Sequence, residues 1–286
     1  MGLGFGAGPG VRPPPATSER TISHDGDVYE NVVVPFEGSL EGRVVLGPAS
    51  DLAWRAGARM VVVSNTDASD KSSKAAVKLQ AIAKSGADVE FWIDLDHPLA
   101  DAALKAIAYR RDPLVCVASP RPSGGLFRRR KGLGQLVTDV TSRCTVPVMV
   151  IGPEADVARG LAMTEAIVVL DCTPSSEELL GFAVSWCGDF KLRMVVTASP
   201  APGTNFTLPD LQQYLDQRVD RVESPGGVTT ELLEADDDAT ALVDLAAAHE
   251  DAVVIMSANH GKAGGLGAFA TKVITACTRP VVVRPG

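Results

Sequence analysis

The sequence has few aromatic residues, no excess of basic residues and no long apolar run. Aromatic side chains make up 5% of the 286 residues, and the formal net charge is −8. Nucleic-acid-binding domains usually carry a basic face, so this charge argues against a general nucleic-acid partner. No apolar run approaches the roughly 20 residues needed to span a bilayer, so no membrane association is expected.

Cysteine is also scarce and is not arranged for cross-linking. The five cysteines are odd in number and include no C-x-x-C pair. All but one lie in apolar patterns, which predicts small core residues in a reducing compartment rather than a disulfide framework. The expected localisation is therefore cytoplasmic. The cysteines are Cys116, Cys144, Cys172, Cys187 and Cys277.

Histidine is rare, and its spacing does not fit a metal site. His24, His97, His249 and His260 are scattered along the chain, and metal sites need clustered ligands. Two acidic groups, residues 236–238 and Asp94 with Asp96, are interpreted as helix caps and dipole partners. No metal is predicted and no general base stands out, so no enzymatic role is expected, although slow ATP hydrolysis stays open.

The remaining composition is typical of a folded protein, except in the first segment of the chain. Hydrophobic residues make up 45% and charged residues 22%, enough for a sizeable core, and the length suggests two domains. Residues 1–28 are predicted to be a disordered tail, rich in glycine and proline near its start. Its G-x-G pattern follows no strand and precedes no helix, so it does not indicate a dinucleotide site.

Strand and helix patterns alternate along both halves of the chain. In the first half, a helix is predicted from residue 45 to 56, another over 74–84, a third over 99–109, and a fourth after Leu133. Apolar runs that suit strands buried on both faces lie between them. The order predicts a doubly wound α/β unit. These runs are residues 32–35, 60–63, 89–93, 114–117 and 147–151.

The second half repeats the first. Glu37 precedes Met60 by the same 23 positions as Asp171 precedes Met194. Five further residues recur 133 positions later, which indicates a tandem repeat. Asp112, just before the fourth strand, recurs as Asp251, which is 139 positions later instead of 133. The second copy therefore lacks six residues in the loop that follows this strand. The residues at the shorter offset are Gly134, Thr138, Val140, Cys144 and Pro147.

The first copy of that loop is glycine-rich and lies between a strand and a helix. Such a loop can cradle phosphate with backbone N–H groups and the helix dipole. Four consecutive cations, residues 128–131, lie within it. They could contact a polyphosphate, or they could form a solvated loop tip.

An acidic turn also follows the first strand of each half. It is Glu37-Gly38-Ser39 in the first half and Asp171-Cys172-Thr173 in the second. A helix and a strand, TVPVMV or TRPVVV, follow the loop. Together these features resemble the universal stress protein family in its tandem two-domain form. The resemblance implies two tandem, doubly wound, five-stranded parallel-sheet domains, Rossmann-like and of the adenine-nucleotide alpha-hydrolase-like type, packed as a pseudo-dimer. The domains would be residues 29–152 and 164–286, with a linker over 153–163 and pairing between strands 148–151 and 281–283.

The resemblance also implies a nucleotide site in the first domain. ATP-binding members carry Gly-x2-Gly-x9-Gly-Ser/Thr after the fourth strand. Here Arg121 takes the place of the first glycine and Gln135 that of the hydroxyl residue. By resemblance, the nucleotide-binding residues of the first domain would be Pro35, Glu37, Ser39, Val63, Ser119, Arg121, Gly124, Gly134 and Gln135.

The second domain departs further from the pattern. Its weaker set would be Asp171, Gly261, Gly264 and Gly267, with Ala268 in place of the hydroxyl residue. The expected function is a stress-response regulator that binds ATP mainly in its first domain. The alternative is a nucleotide-independent scaffold or regulatory protein with degenerate loops and a protein partner. A homodimer of the pseudo-dimer stays open.

Overall fold

A computed structural model describes most of both halves of the chain. The described residues are 29–37, 42–65, 88–119, 133–157, 160–173, 175–200, 206–220, 222, 224–233, 237–258 and 265–285. Several predictions lie outside them: the tail over 1–28, the helix over 74–84, the cations over 128–131, and the site residues Ser39, Arg121, Gly124, Gly261 and Gly264.

Ten strands form where the apolar runs predict them. Those of the first half are β1 (Asn31–Pro35), β2 (Arg59–Ser64), β3 (Val89–Ile93), β4 (Pro113–Ala118) and β5 (Val148–Ile151). Those of the second half are β6 (Glu165–Leu170), β7 (Arg193–Ala198), β8 (Val228–Thr230), β9 (Ala252–Ser257) and β10 (Val281–Arg284). The central strands are buried on both faces, which explains their continuous apolar sequences.

Helices alternate with the strands. They are α1 (Leu46–Ala56), α2 (Leu99–Ala108), α3 (Gln135–Arg143), α4 (Ser175–Phe190), α5 (Leu208–Val219), α6 (Asp238–Ala248) and α7 (Ala268–Ala276). A 3₁₀ turn over Gly42–Val45 precedes α1, so the regular helix begins later than the apolar pattern, as the proline at position 48 predicts. Gly57 ends α1 with a φ of 62°, a left-handed conformation that glycine adopts without strain.

All ten strands belong to one sheet with the order β3-β2-β1-β4-β5-β10-β9-β6-β7-β8. Neighbours within each half are parallel. The halves meet where β5 and β10 pair antiparallel, with Val150 opposite Val281 and Val148 opposite Val283. The predicted doubly wound fold and this predicted pairing are confirmed. Because β5 and β10 are antiparallel, the carboxyl ends of the two half-sheets lie at opposite edges.

Two hydrophobic cores cover the faces of the sheet. The first lies under α1, α4 and α5, where Leu46, Leu179 and Leu215 are buried. The second lies under α2, α3, α6 and α7, with Val140 and Leu242 buried there. Each fully buried large aliphatic side chain contributes about 1.5–3 kcal/mol relative to exposure. The first core crosses between the halves, and the Tyr29 ring meets the Trp186 ring edge-on at 5.5 Å.

Two details complete the description of the fold. The edge strand β8 is short and ends at Thr230, and Leu233 beyond it joins the second core. Four cysteines are buried and Cys172 is partly buried, all with free thiols, as the apolar patterns predict. Burial raises the pKa of the Cys116 and Cys187 thiols to about 12.

Candidate functional site

The first crevice lies where the winding of the sheet reverses, between β1 and β4. From β1 the chain continues to β2 on one side, and it returns from β3 to β4 on the other. Parallel sheets bind ligands at the carboxyl ends of strands at such a reversal. Glu37 follows β1 at this place and Ser119 follows β4. In the second half, Asp171 and Ala258 follow β6 and β9 at the matching place.

The two crevices differ because one strand pair separates early. The β1–β4 ladder ends at Val33 opposite Val115, whereas the β6–β9 ladder continues to Val169 opposite Met256. The Phe36 N–H donates to the Val63 carbonyl of β2 at 2.8 Å, so an N–H at position 35 would point toward β4. Proline has no N–H, and Pro35 stands where the second half has Val169. Pro35 therefore lacks the N–H that would extend the β1–β4 ladder beyond Val33.

The base of the first loop is held by a side chain. The Ser119 hydroxyl accepts the Gly134 N–H at 3.3 Å, and the Ser119 N–H donates to the Ile151 carbonyl at 2.9 Å. Gly134 is the N-cap of α3, whose first turn has no side-chain cap and no acidic residue. Among the described residues, no side chain caps this helix, whose first N–H groups and positive dipole end point toward the crevice.

The other predicted residues of the first site have different surroundings. Glu37 is exposed at the lip of the crevice, whereas Val63 is fully buried in the second core. The Gln135 side-chain amide donates to the Asp139 carboxylate at 2.6 Å, one turn along α3. The structure thus brings Pro35, Glu37, Ser119 and the start of α3 to one edge. It directs the Gln135 amide along the helix surface.

In the second half, the acidic residue bonds within its own turn. The Asp171 carboxylate is 2% exposed and accepts the Thr173 N–H at 3.0 Å and the Thr173 hydroxyl at 2.6 Å. Cys172 between them has a φ of 58°. Burial, followed by the Asp171 charge, raises the pKa of the Cys172 thiol to about 11, and Arg218 opposes this shift.

A backbone hydrogen bond joins the two ends of the second loop. The Gly267 N–H donates to the Ala258 carbonyl at 2.9 Å, in the place where Gly134 meets the Ser119 side chain. The N–H of the cap glycine therefore has an acceptor in both halves, a serine hydroxyl in the first and a backbone carbonyl in the second. The shortened loop gave the sequence signal for a weaker second site. The greater length of the β6–β9 ladder could not be predicted from the sequence, because it depends on the strand register.

The two predicted acidic caps have different outcomes. Asp94 does not cap a helix: it accepts from the His97 ring at 2.7 Å and from Lys105 at 3.2 Å, while Pro98 is the N-cap of α2. These bonds, the His97 bond first, lower the pKa of Asp94 to about 2. Asp237 takes the N-cap position of α6 as predicted, Asp238 lies in the first turn of that helix, and the Asp237 carboxylate also accepts from Thr240 and Lys272.

A separate cavity of about 270 Å³ lies at the amino ends of β9 and β10. The linker lines one side of it, and Asp156, Glu250, Asp251 and Arg279 are among its lining residues. The Arg279 guanidinium donates to the Ala246 carbonyl at 3.2 Å, at the end of α6. No sequence pattern indicates this cavity, because its lining comes from three distant segments.

In the described part of the chain, no three His, Cys, Asp or Glu side chains are grouped so that they could hold a metal ion. No helix of these residues has the length and apolar character to cross a membrane.

Comparison with known proteins identifies the fold. No family model and no curated protein matches the sequence. Among solved structures, a universal stress protein from Archaeoglobus fulgidus DSM 4304 matches with a TM-score of 0.63 and 17% identity, over 90% of this chain and 98% of that chain. A functionally unknown protein from Pseudomonas aeruginosa PAO1 matches with a TM-score of 0.61 and 15% identity, over 90% and 92%.

A third match is a candidate universal stress protein from Pseudomonas aeruginosa UCBPP-PA14. Its TM-score is 0.59 and its identity 16%, over 90% of this chain and 93% of that chain. All three alignments extend across both halves, since each covers nine-tenths of the chain. The chain therefore has the fold of the universal stress proteins, with the two half-sheets joined in one polypeptide.

Proposed function

We propose that this chain is a tandem universal stress protein, a cytoplasmic stress-response regulator that binds ATP in its first half. The observation that carries the proposal is the early end of the β1–β4 ladder at Val33 and Val115. It opens a crevice at the reversal of the sheet, where α/β proteins bind nucleotides. The proposal includes no enzymatic role.

The chemistry of the first crevice suits a nucleotide phosphate. The start of α3 offers N–H groups and a positive dipole end, with no acidic residue in its first turn to oppose an anion. The Ser119–Gly134 bond holds this helix start against the end of β4. Glu37 lies at the lip, where its carboxylate could accept from an amino group of the base.

The second half supports a single site per chain. Its ladder runs two residue pairs further, and the buried Asp171 bonds to its own turn. A ligand would have to break these bonds before it could bind. We therefore assign the nucleotide to the first half alone.

Isothermal titration with ATP tests the proposal with matched variants. We expect one ATP per chain, and an affinity lowered at least about tenfold, about 1.4 kcal/mol, by Gly134→Val. Gly267→Val is the control and should leave the affinity unchanged. Both glycines have ordinary negative φ values, −61° and −66°, so valine fits the backbone. Absence of binding heat from the unmodified chain would contradict the proposal.

One observation favours the competing function, a nucleotide-independent scaffold. Gln135 stands where ATP-binding members carry a hydroxyl, and its amide is engaged by Asp139. A scaffold would retain its protein partners in a pull-down after exhaustive removal of nucleotide. A nucleotide-dependent regulator would lose or exchange them.

A further inference from the structure

The strand β3 forms one end of the sheet, and its outer edge carries unused backbone groups. In the described part of the chain, β3 pairs only with β2. The Met60 N–H donates to the Asp88 carbonyl and the Asp94 N–H donates to the Ser64 carbonyl, both at 2.9 Å. Because backbone groups alternate in direction along a strand, every second residue of β3 directs its N–H and C=O away from β2. These residues are Val89, Phe91 and Ile93.

This edge lacks the usual protection against pairing with another chain. Exposed edge strands are normally very short, or they carry lysine or proline, because their free backbone groups can accept a further strand. The other end of the sheet follows this rule, since β8 has only three residues. The strand β3 has five residues, with the sequence VEFWI, and contains no lysine or proline. Its sequence is therefore typical of a strand that pairs on both sides.

One face of β3 is covered by side chains of its own half. Trp92 packs against the second core, stacks on the Tyr109 ring at 5.9 Å and lies under the Arg110 guanidinium at 5.2 Å. The Glu90 carboxylate on the same face accepts from both Arg110 and Arg59. The charge of the strand is therefore balanced within the chain.

The other face of β3 is apolar and open. Val89 packs partly against the first core, whereas Phe91 is 45% and Ile93 48% exposed. Apolar side chains that are opposite each other in an antiparallel pair stabilise it. A further strand with apolar side chains on this face would cover both exposed residues and satisfy the free backbone groups.

We propose that β3 pairs antiparallel with β3 of a second copy of this chain, about a two-fold axis at Phe91. In this register Phe91 is opposite Phe91 of the second copy, and Val89 is opposite Ile93. It is the register in which the whole strand is paired. The residues with free backbone groups are then opposite one another, so each opposed pair can exchange two hydrogen bonds. A second copy therefore matches this edge in both its backbone groups and its side chains.

The charges of the strand permit this pairing. Glu90 would be opposite Trp92 of the second copy, so the two Glu90 carboxylates do not meet. Just outside the strand, Asp88 would be opposite Asp94, and each of these carboxylates already accepts from a cation of its own chain. The two halves of the chain also meet through an antiparallel strand pair, β5 with β10. Pairing at β3 would extend the same sheet across two copies, and it does not depend on the nucleotide site.

Sedimentation of the full chain over a range of concentrations tests the pairing. We expect a monomer–dimer equilibrium that Phe91→Lys weakens at least about tenfold, because like charges directly opposite each other destabilise a strand pair. Phe91→Glu should weaken it for the same reason. An equimolar mixture of the two variants should form dimers again, since residue 91 is opposite its own copy. Phe206→Lys, at a phenylalanine 40% exposed in the second half, is the control and should leave the equilibrium unchanged.

The mixture separates loss of the interface from loss of the fold, because two variants that fail to fold cannot recover by being combined. A chain that remains monomeric at every concentration would overturn the proposal. A dimer that persists in Phe91→Lys, or a mixture that remains monomeric, would overturn it as well.

A disulfide test locates the two-fold axis independently. Opposed residues that exchange hydrogen bonds have Cα atoms about 5.5 Å apart, within the range of about 4.4–6.8 Å that a disulfide bridges. Phe91→Cys should therefore link two copies when oxidised glutathione is added to the full chain, as non-reducing electrophoresis would show. The unmodified chain gives the background, since four of its five cysteines are buried.

Ile93→Cys is the matched control for the disulfide test. Ile93 is exposed to a similar extent, but in the proposed register it lies about 14 Å from Ile93 of the second copy, four residues along the strand. This variant should link no more than the unmodified chain does. Equal linkage of Phe91→Cys and Ile93→Cys would overturn the proposed pairing.

Discussion

Thr197 occupies in β7 the place that Val63 occupies in β2. Val63 lies opposite Pro35 in the β1–β2 ladder, and Thr197 lies opposite Val169 in the β6–β7 ladder. Both side chains are fully buried, but the Thr197 hydroxyl has no hydrogen-bond partner among the described residues. The first half thus shows which side chain suits this position.

Replacing Thr197 with valine should stabilise the protein. A buried polar group without a partner costs about 1–3 kcal/mol, and valine has nearly the same shape. We expect the free energy of unfolding in urea to rise by about 1–2 kcal/mol. The reciprocal variant, Val63→Thr, should lower it by a similar amount. An unchanged or lower stability of Thr197→Val would show that the hydroxyl has a partner.

Replacing Pro35 should close the first crevice. Both Pro35→Val and Pro35→Ala restore the N–H that would point to β4, and each added ladder bond contributes about 0.5–1.5 kcal/mol of stability. We therefore expect higher stability together with ATP affinity at least about tenfold weaker. Because alanine and valine differ in size but share the N–H, an effect of valine alone would indicate side-chain bulk instead of the ladder. Calorimetric titration and urea unfolding measure the two quantities.

Gly152 should not tolerate a side chain. A Cβ on this residue, just after β5, would lie 2.1 Å from the Ile274 carbonyl oxygen of α7, a contact between the two halves. Since backbone must move to relieve it, Gly152→Ala should cost about 1–3 kcal/mol, as overpacking does. Gly188→Ala in α4, where a Cβ meets nothing within 4 Å, is the control and should be neutral or stabilising. Equal stabilities of the two variants in urea would contradict this contact.

Asp94 should make the stability of the protein depend on pH in the acidic range. Its pKa is lowered to about 2, chiefly by the bond from His97. The folded state therefore holds the proton less tightly than the unfolded state, in which an aspartate has a pKa of about 3.9. This stabilisation is present above about pH 4 and is lost as the pH falls toward 2.

The measurement for Asp94 is the melting temperature as a function of pH. Asp94→Asn should lower the melting temperature at pH 7, and the difference from the unmodified chain should shrink as the pH falls from about 4 to about 2. Asp96→Asn, two residues away and exposed, is the control. If the difference in melting temperature stays constant over this pH range, the effect comes from the changed shape of the side chain and not from the loss of its charge.

Much of the fold was predictable from local sequence. Strands such as β4 and β9 are short apolar runs that suit burial on both faces of a parallel sheet. The recurrence of Gly134 as Gly267, and of Pro147 as Pro280, indicates the repeat without any coordinates. The pairing of β5 with β10 followed from the family resemblance and from two apolar edges that need cover.

The candidate site was predictable only in part. The family resemblance predicted Pro35, Glu37, Ser119 and Gly134 as parts of one site, and the structure brings them to one edge, where the carboxyl ends of parallel strands meet. It did not reveal that the Gln135 amide bonds along α3, or that the predicted cap Asp94 bonds His97 and Lys105 instead. Those outcomes depend on rotamers and on neighbours from other segments.

The sequence by itself determined the alternation of strands and helices, the repeat and the shorter second loop, because these are properties of residue order and period. Only the tertiary structure decided where each strand pair separates. The β1–β4 ladder ends early because Pro35 has no N–H on the side that faces β4, whereas the β6–β9 ladder continues for two further pairs. Which neighbour an N–H faces is a property of strand register, and register exists only once the sheet has assembled.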